Sequence, residues 1–142
     1  MLQAGAVMKI QDGPVIPGVS IGNFKLGMEE EKLLEMLGED YTKRKREFDV
    51  IYSVENAGFW VAEDGKVDQI GVKGDFKGKY REVIGIGSTL SDVRRLVGNY
   101  KSVYSTYEME EDKGICFELE DIEDWDELKA PIEYIFVFRI DT

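Results

Sequence analysis

Apolar positions recur in the same order twice along this chain. Leu33, Met36 and Leu37 stand at i, i+3 and i+4, and Val93, Leu96 and Val97 repeat them 60 positions later. That spacing places an apolar stripe on one face of a helix. The flanks match at the same offset: Gly27 with Gly87, Gly38 with Gly98, Phe24 with Ile84, Leu26 with Ile86. Ser88 and Thr89 can cap the second helix, and Asp92 suits the positive end of its dipole. Glu29, Glu30 and Glu31 do the electrostatic part in the first, without a Ser or Thr cap. Gly38 and Gly98 sit where a left-handed residue ends a helix. Helices of about three turns persist only when packed on something, and strand patterns follow each one.

An aromatic pattern comes first, Val50-Ile51-Tyr52-Ser53 and Ser102-Val103-Tyr104-Ser105. A glycine-led run comes next, Gly58-Phe59-Trp60-Val61 and Gly114-Ile115-Cys116-Phe117. An alternating run closes each series, residues 67–72 and 132–138. Asp64-Gly65 between apolar runs is a strong hairpin signal. Val67, Ile70 and Val72 break strict parity, which predicts a bulge or shifted register near Gly71. In the last run Ile132, Tyr134, Phe136 and Phe138 alternate with Glu133, Ile135 and Val137, a strand buried on one face and half-buried on the other. Residues 73–82 read as a polar connector, either a long strand or a loop. The expectation is a single α+β domain over 1–142. It has a first repeat unit at about 16–72, a connector at 73–82 and a second unit at about 83–140. Halves of ~60 residues are marginal alone, so the two should share one curved antiparallel sheet with the helices packed against it.

Composition then narrows the chemistry. The 142 residues include 18 basic and 29 acidic side chains, net −11, with one cysteine and no histidine. An apolar share of 43 % is enough for a core. The lack of histidine removes His-based triads, most zinc sites and the commonest general base. The charge opposes direct binding of nucleic acid or an anionic membrane and favours a basic partner. The start MLQAGAVMKI lacks a basic n-region and a long apolar core, so no secretory signal is expected. Met1 and Met8 both remain candidate starts. No run reaches the ~18 apolar residues of a membrane span. Cys116, in an apolar setting among acids, reads as a small buried hydrophobe rather than a reactive thiol. The expected location is the cytoplasm.

The stretch Ile16–Gly38, with its Gly27-Met28 turn and Leu37-Gly38 ending, resembles the opening of repeats in the β-lactamase-inhibitor-protein-like superfamily. There a Gly-Met helix ending in Leu-Gly precedes a run of antiparallel strands. Small outer-membrane assembly lipoproteins share that opening, as do immunity proteins of polymorphic and contact-dependent toxin systems. This chain lacks a lipobox cysteine and the paired disulfide cysteines of the inhibitor itself, which turns the resemblance toward the cytosolic immunity proteins. It implies binding, so no catalytic residues and no cofactor are carried over.

The charge is uneven. Residues 1–100 hold 16 acids and 14 bases, whereas residues 101–142 hold 13 acids and 4 bases. The excess lies in Glu108, Glu110, Glu111 and Asp112, and in Glu120, Asp121, Glu123, Asp124, Asp126 and Glu127. The second group fills an insertion ending at Pro131, where the first unit has only its Asp64-Gly65 turn. Elaborated loops on a scaffold often carry function. With Tyr104, Tyr107 and Trp125, these acids form the candidate surface for a basic protein, carboxylates steering and aromatics anchoring. A purely solvating acidic face with Trp125 packed on the core is the competing reading. Asp124, Asp126 and Glu127 also offer oxygen donors, but without the spacing of a calcium loop. Lys43-Arg44-Lys45-Arg46 reads as a solvated basic loop rather than a nucleic-acid patch, and Gly85-Ile86-Gly87-Ser88-Thr89 as a turn into a helix rather than a phosphate loop. The expected function is an immunity protein that neutralises a basic toxin domain, a nuclease being one such. A small carboxylate-based enzyme and a non-catalytic assembly module are the alternatives.

Overall fold

A computed structural model describes residues 8–140. Three two-residue strands come first: β1 (Val15–Ile16), β2 (Ser20–Ile21) and β3 (Phe24–Lys25) form a small antiparallel sheet. Then follow α1 (Glu30–Leu37), β4 (Thr42–Lys45), β5 (Asp49–Val54), β6 (Ala57–Ala62) and β7 (Val67–Val72). After a long connection come α2 (Leu90–Leu96), β8 (Tyr100–Val103), β9 (Thr106–Met109), β10 (Ile115–Leu119) and β11 (Ile132–Phe138). The last eight strands form a second antiparallel sheet in the order β4-β5-β6-β7-β11-β10-β9-β8. There are thus two antiparallel sheets rather than one. The small one arises because Pro14, Pro17 and the positive-φ Gly18 and Gly22 fold residues 14–25 into short antiparallel turns before the first helix.

The core lies on one face of the large sheet. Leu33 and Leu37 of α1 and Leu90 and Val93 of α2 are buried there, with Phe59, Ile70, Phe117, Ile135 and Val137 from the strands. Two cross-strand rows organise it: Tyr52 pairs with Phe59 and Phe59 with Ile70, while Tyr107 pairs with Phe117 and Phe117 with Ile135. The aromatic pattern at 102–105 therefore does not form a strand like β5. Ser102 and Val103 end β8, and Tyr104 enters the turn with φ +57°. Tyr107 on β9 takes the place that Tyr52 takes on β5.

The parity break at Val67 has a local cause, though not at Gly71. Register shifts by one where Trp60 faces Gln69 but Val61 faces Val67, so Asp68 is the extra residue of a bulge. An equivalent shift leaves Glu133 extra, between Glu118 facing Tyr134 and Leu119 facing Ile132. Each bulge lets residues three apart, Val67 with Ile70 and Ile132 with Ile135, face the core together. Gly71 is regular: its partners are Gly58 and Phe136.

The helix ends differ. Thr89 accepts from the Asp92 N–H, and the Asp92 carboxylate accepts from the Thr89 N–H, a complete capping box. Glu29 caps α1 without a side-chain bond, as its residue type suggested. Gly38 has φ +73° and ends α1, but Gly98 is not left-handed; α2 closes instead through N–H bonds from Val97 and Gly98 to the Val93 carbonyl.

Residues 73–82 form a loop, not a strand. It is pinned by buried Phe76 and Tyr80 and by a hydrogen bond from the Val15 N–H to the Lys79 carbonyl. The N-terminal stretch is held at the β5–β6 turn by buried Asn56, which accepts from the Ile10 N–H at 2.9 Å and donates to its carbonyl at 3.1 Å. The small sheet meets the large one at Gly114, where a β-carbon would lie 2.5 Å from the Gly18 nitrogen. Only glycine fits that approach.

Candidate functional site

The topology divides the sequence-derived candidates between two ends of the large sheet. β9 and β10 are antiparallel neighbours. The β8–β9 turn and the segment from Glu120 to Pro131 therefore share one end, and the β9–β10 loop lies at the other. Tyr104, Tyr107 and the acids from Glu120 to Glu127 belong to the first end. Glu110, Glu111 and Asp112 belong to the second. Glu108 sits between them on β9, on the sheet face away from the core, opposite Cys116.

At the first end Tyr104 is 99 % exposed at the tip of its turn, and Trp125 is 47 % exposed. Trp125 is not part of the buried cluster, which removes the core-packing reading for it. Tyr107 is buried, and its hydroxyl donates to Glu127 Oε1 at 3.0 Å. Burial, then Glu127, pushes that phenol up to about 12. This bond ties the inserted segment to β9. Asp126 organises the segment itself: its carboxylate accepts from the Leu128 N–H at 2.8 Å, and its carbonyl from the Lys129 and Ala130 N–H groups. Asp124 has φ +52°, a conformation that Asp tolerates better than most residues. Glu120, Asp121, Glu123 and Asp124 are all exposed. Among the described residues none of them forms an ion pair.

The second end is different. Arg81 grips Asp112 with both Nε and Nη2, at 2.9 and 3.0 Å, and the Tyr80 hydroxyl donates to the same carboxylate. Burial first, and Asp112 second, raises the Tyr80 phenol well above its ordinary value. Arg81 and Glu82 both have positive φ, 50° and 65°. Asp112 is thus a fastening between the connector and the β9–β10 loop, and Arg81 already occupies it. Glu110 and Glu111 remain exposed beside it.

Among the described residues no group of three or more Cys, Asp or Glu side chains is placed to hold a metal ion. Cys116 is pushed up to about 12 by burial and then by Glu108 and Glu118, so it is a thiol and not a nucleophile at neutral pH. Lys43, Arg44 and Lys45 lie on β4, an edge strand of four exposed residues. The basic run is therefore a charged sheet edge and not a loop. Such charge discourages edge-to-edge pairing with other chains.

Sequence reading missed the face of the sheet opposite the core. There Trp60, Tyr134 and Phe136 stand half-buried, and among the described residues no second layer of structure lies over them. The signal was present in residues 132–138, where the larger aromatics occupy the parity opposite Ile135 and Val137.

No helix among the described residues is long and apolar enough to cross a membrane. No protein-family model matches the chain, and no curated protein does. The chain is similar in fold to the crystal structure of the uncharacterized protein yfeY from Escherichia coli. The TM-score is 0.50 at 14 % identity, over 92 % of this chain and 100 % of that one.

Proposed function

We propose that this chain is an immunity protein, built from two copies of one unit of a helix and four strands. In this reading it binds a basic toxin domain in the cytoplasm through its acidic end, and acts by binding rather than catalysis. The observation that carries the reading is the segment from Glu120 to Glu127. Four exposed carboxylates, without cationic partners among the described residues, precede a tryptophan that is 47 % exposed. Unneutralised carboxylates there raise the local concentration of a basic partner, and Trp125 with Tyr104 supplies area that binding can desolvate. The Tyr107–Glu127 bond and the Asp126 turn hold the segment before the partner arrives, which lowers the ordering cost of association. Glu108, Glu110 and Glu111 add to the field, while Asp112 is held by Arg81.

Two further observations support the two-copy part of the reading. The Gly27 N–H bonds to the Val67 carbonyl and the Val67 N–H to the Met28 carbonyl, as Gly87, Ile132 and Ser88 do in the other half. The aromatic pairs Tyr41–Tyr52 and Tyr100–Tyr107, both edge-on at 5.3 and 5.9 Å, also correspond.

Co-expression tests the reading. Cells carrying an inducible toxin domain encoded beside this gene should grow when the chain is present. They should lose most of that protection when Glu120, Asp121, Glu123 and Asp124 become Gln or Asn. Continued killing in the presence of folded wild-type chain overturns the immunity reading. Full protection by the neutralised variant overturns the acidic surface alone.

A further inference from the structure

The open face of the large sheet carries a groove of about 500 Å³ that the Glu120–Glu127 segment does not line. Its floor is glycine backbone that the Trp60 and Phe136 rings overlie: Gly58 faces Gly71 across β6 and β7, with Ser53 beside Gly58 on β5. One wall is aromatic. Trp60 meets Phe136 edge-on at 5.8 Å, and Tyr134 stacks on Phe136 at 5.6 Å with planes 10° apart. The opposite wall is the edge strand β4, with Thr42 and Arg44. Lys73 closes the groove beside Tyr134, its Nζ 5.8 Å from that ring.

The rings have a structural use, since they cover glycine backbone that nothing else covers. A β-carbon on Gly71 would lie 2.6 Å from Phe136. That use does not account for the cations. Arg44 and Lys73 are exposed, and among the described residues neither forms an ion pair. Glu118 is the lone carboxylate among the lining residues. The charge of the lining is therefore reversed, two cations to one anion, in a chain of net −11. A concave site of several hundred Å³, mostly aromatic and apolar with a few placed charges, is the usual form of a small-ligand pocket. The half-exposed faces of Trp60, Tyr134 and Phe136 suit a planar apolar body, and the unpaired cations suit an anionic group.

We propose that this groove binds a small organic anion with a planar apolar body, which packs on Trp60, Tyr134 and Phe136 while Lys73, at the Tyr134 end, holds its charged group and Arg44, across the groove on β4, adds to the positive field. The inference is independent of the immunity reading, because it uses other residues on another face.

The probe is 8-anilinonaphthalene-1-sulfonate, a planar aromatic anion, titrated into the full chain carrying Trp125→Phe, so that Trp60 is the sole tryptophan. The expected result is saturable one-to-one binding with quenching of Trp60. Affinity should fall about tenfold or more in Arg44→Gln/Lys73→Gln. It should hold in Lys43→Gln/Lys45→Gln, whose side chains leave β4 toward the other face. The neutral analogue N-phenyl-1-naphthylamine, which lacks the sulfonate, should bind about tenfold more weakly than the anion. Far-UV circular dichroism confirms that each variant is folded. Unsaturable or multi-site binding, equal affinity in the Arg44/Lys73 variant, or equal affinity for the neutral analogue overturns the proposal.

Discussion

Val67 and Ile132 hold the same position in the two halves of the large sheet. Each opens one of the two central strands, each is followed by an acidic bulge residue, and each exchanges two backbone hydrogen bonds with the turn leading into a helix. Both are fully buried. The bulge is what lets them face the core, so its removal should turn them outward. Deleting Asp68 or Glu133 shifts the register of Val67 or Ile132 by one and breaks the bonds to Gly27 or Gly87. Either deletion should cost several kcal/mol, more than the ~1 kcal/mol typical of a point substitution, read from urea unfolding.

Gly71 and Phe136 make a second, opposite demand. Gly71→Ala puts a methyl group where the Phe136 ring already lies and should cost about 1–3 kcal/mol. Trimming the ring in the double variant Gly71→Ala/Phe136→Leu should recover part of that. Gly58→Ala should cost less, because its β-carbon would lie 3.3 Å from Trp60 rather than 2.6 Å from a ring. Denaturant midpoints of the variants measure the coupling.

Helix capping separates the two halves. Thr89→Ala removes one side of the capping box and should cost about 1 kcal/mol. Glu29 has extended backbone, φ −71° and ψ 146°, but no side-chain bond. Glu29→Ser should therefore stabilise α1 by several tenths of a kcal/mol or more. Thermal unfolding of the two variants should shift in opposite directions.

The edge-on pair Tyr100 and Tyr107 should also respond with opposite signs. Tyr107→Phe loses the bond to Glu127 and should cost about 0.5–1.5 kcal/mol. The Tyr100 hydroxyl is buried without a partner among the described residues. Tyr100→Phe removes that cost and should leave stability unchanged or raised, again read by urea unfolding.

Cys116 and Tyr107 are among the buried groups that make the fold sensitive to alkali. The Cys116 thiol has an ordinary value of 9.0 and is pushed up to about 12; the Tyr107 phenol goes from 10.0 to about 12. Both values are raised by folding. The stability they contribute is therefore fully present below pH 9 and is lost as pH rises from 9 toward 12. Cys116→Ala should flatten the decline between pH 9 and 10. In the native protein at pH 8, a thiol reagent should react with Cys116 much more slowly than in urea, because burial makes the thiolate rarer and the sulfur less accessible.

The helices, the Asp64-Gly65 hairpin and the extent of the last strand were legible because each rests on local rules of period or turn chemistry, but the expected alternation fails at Ile132, which the Glu133 bulge turns to the Ile135 face. The strand boundaries were legible only to within a few residues. Tyr104 and Tyr52 share a local pattern, but sheet position is set by pairing partners, and these place Tyr107 beside Phe117. The bulges were visible as a parity break, yet their position depends on which residues the partner strand offers. Gly98 looked like Gly38 in sequence; the bonds to the Val93 carbonyl close α2 without a left-handed residue. The acidic end was legible as composition. The capture of Asp112 by Arg81, 31 residues away, was not. The aromatic groove was the least legible, because it joins six strands from both halves of the chain.

The central claim is that the acidic end recognises a basic toxin, and association kinetics test it most directly. The measurement is the rate constant for association with an immobilised toxin domain against which the chain protects in co-expression, taken at low and at physiological salt. Wild-type chain is compared with the variant neutralised at Glu120, Asp121, Glu123 and Asp124. The account predicts fast, salt-sensitive association for the wild type, and a rate about tenfold or more lower with little salt dependence for the variant. No complex with the wild-type chain, or equal rates and equal salt dependence for the two chains, would contradict it.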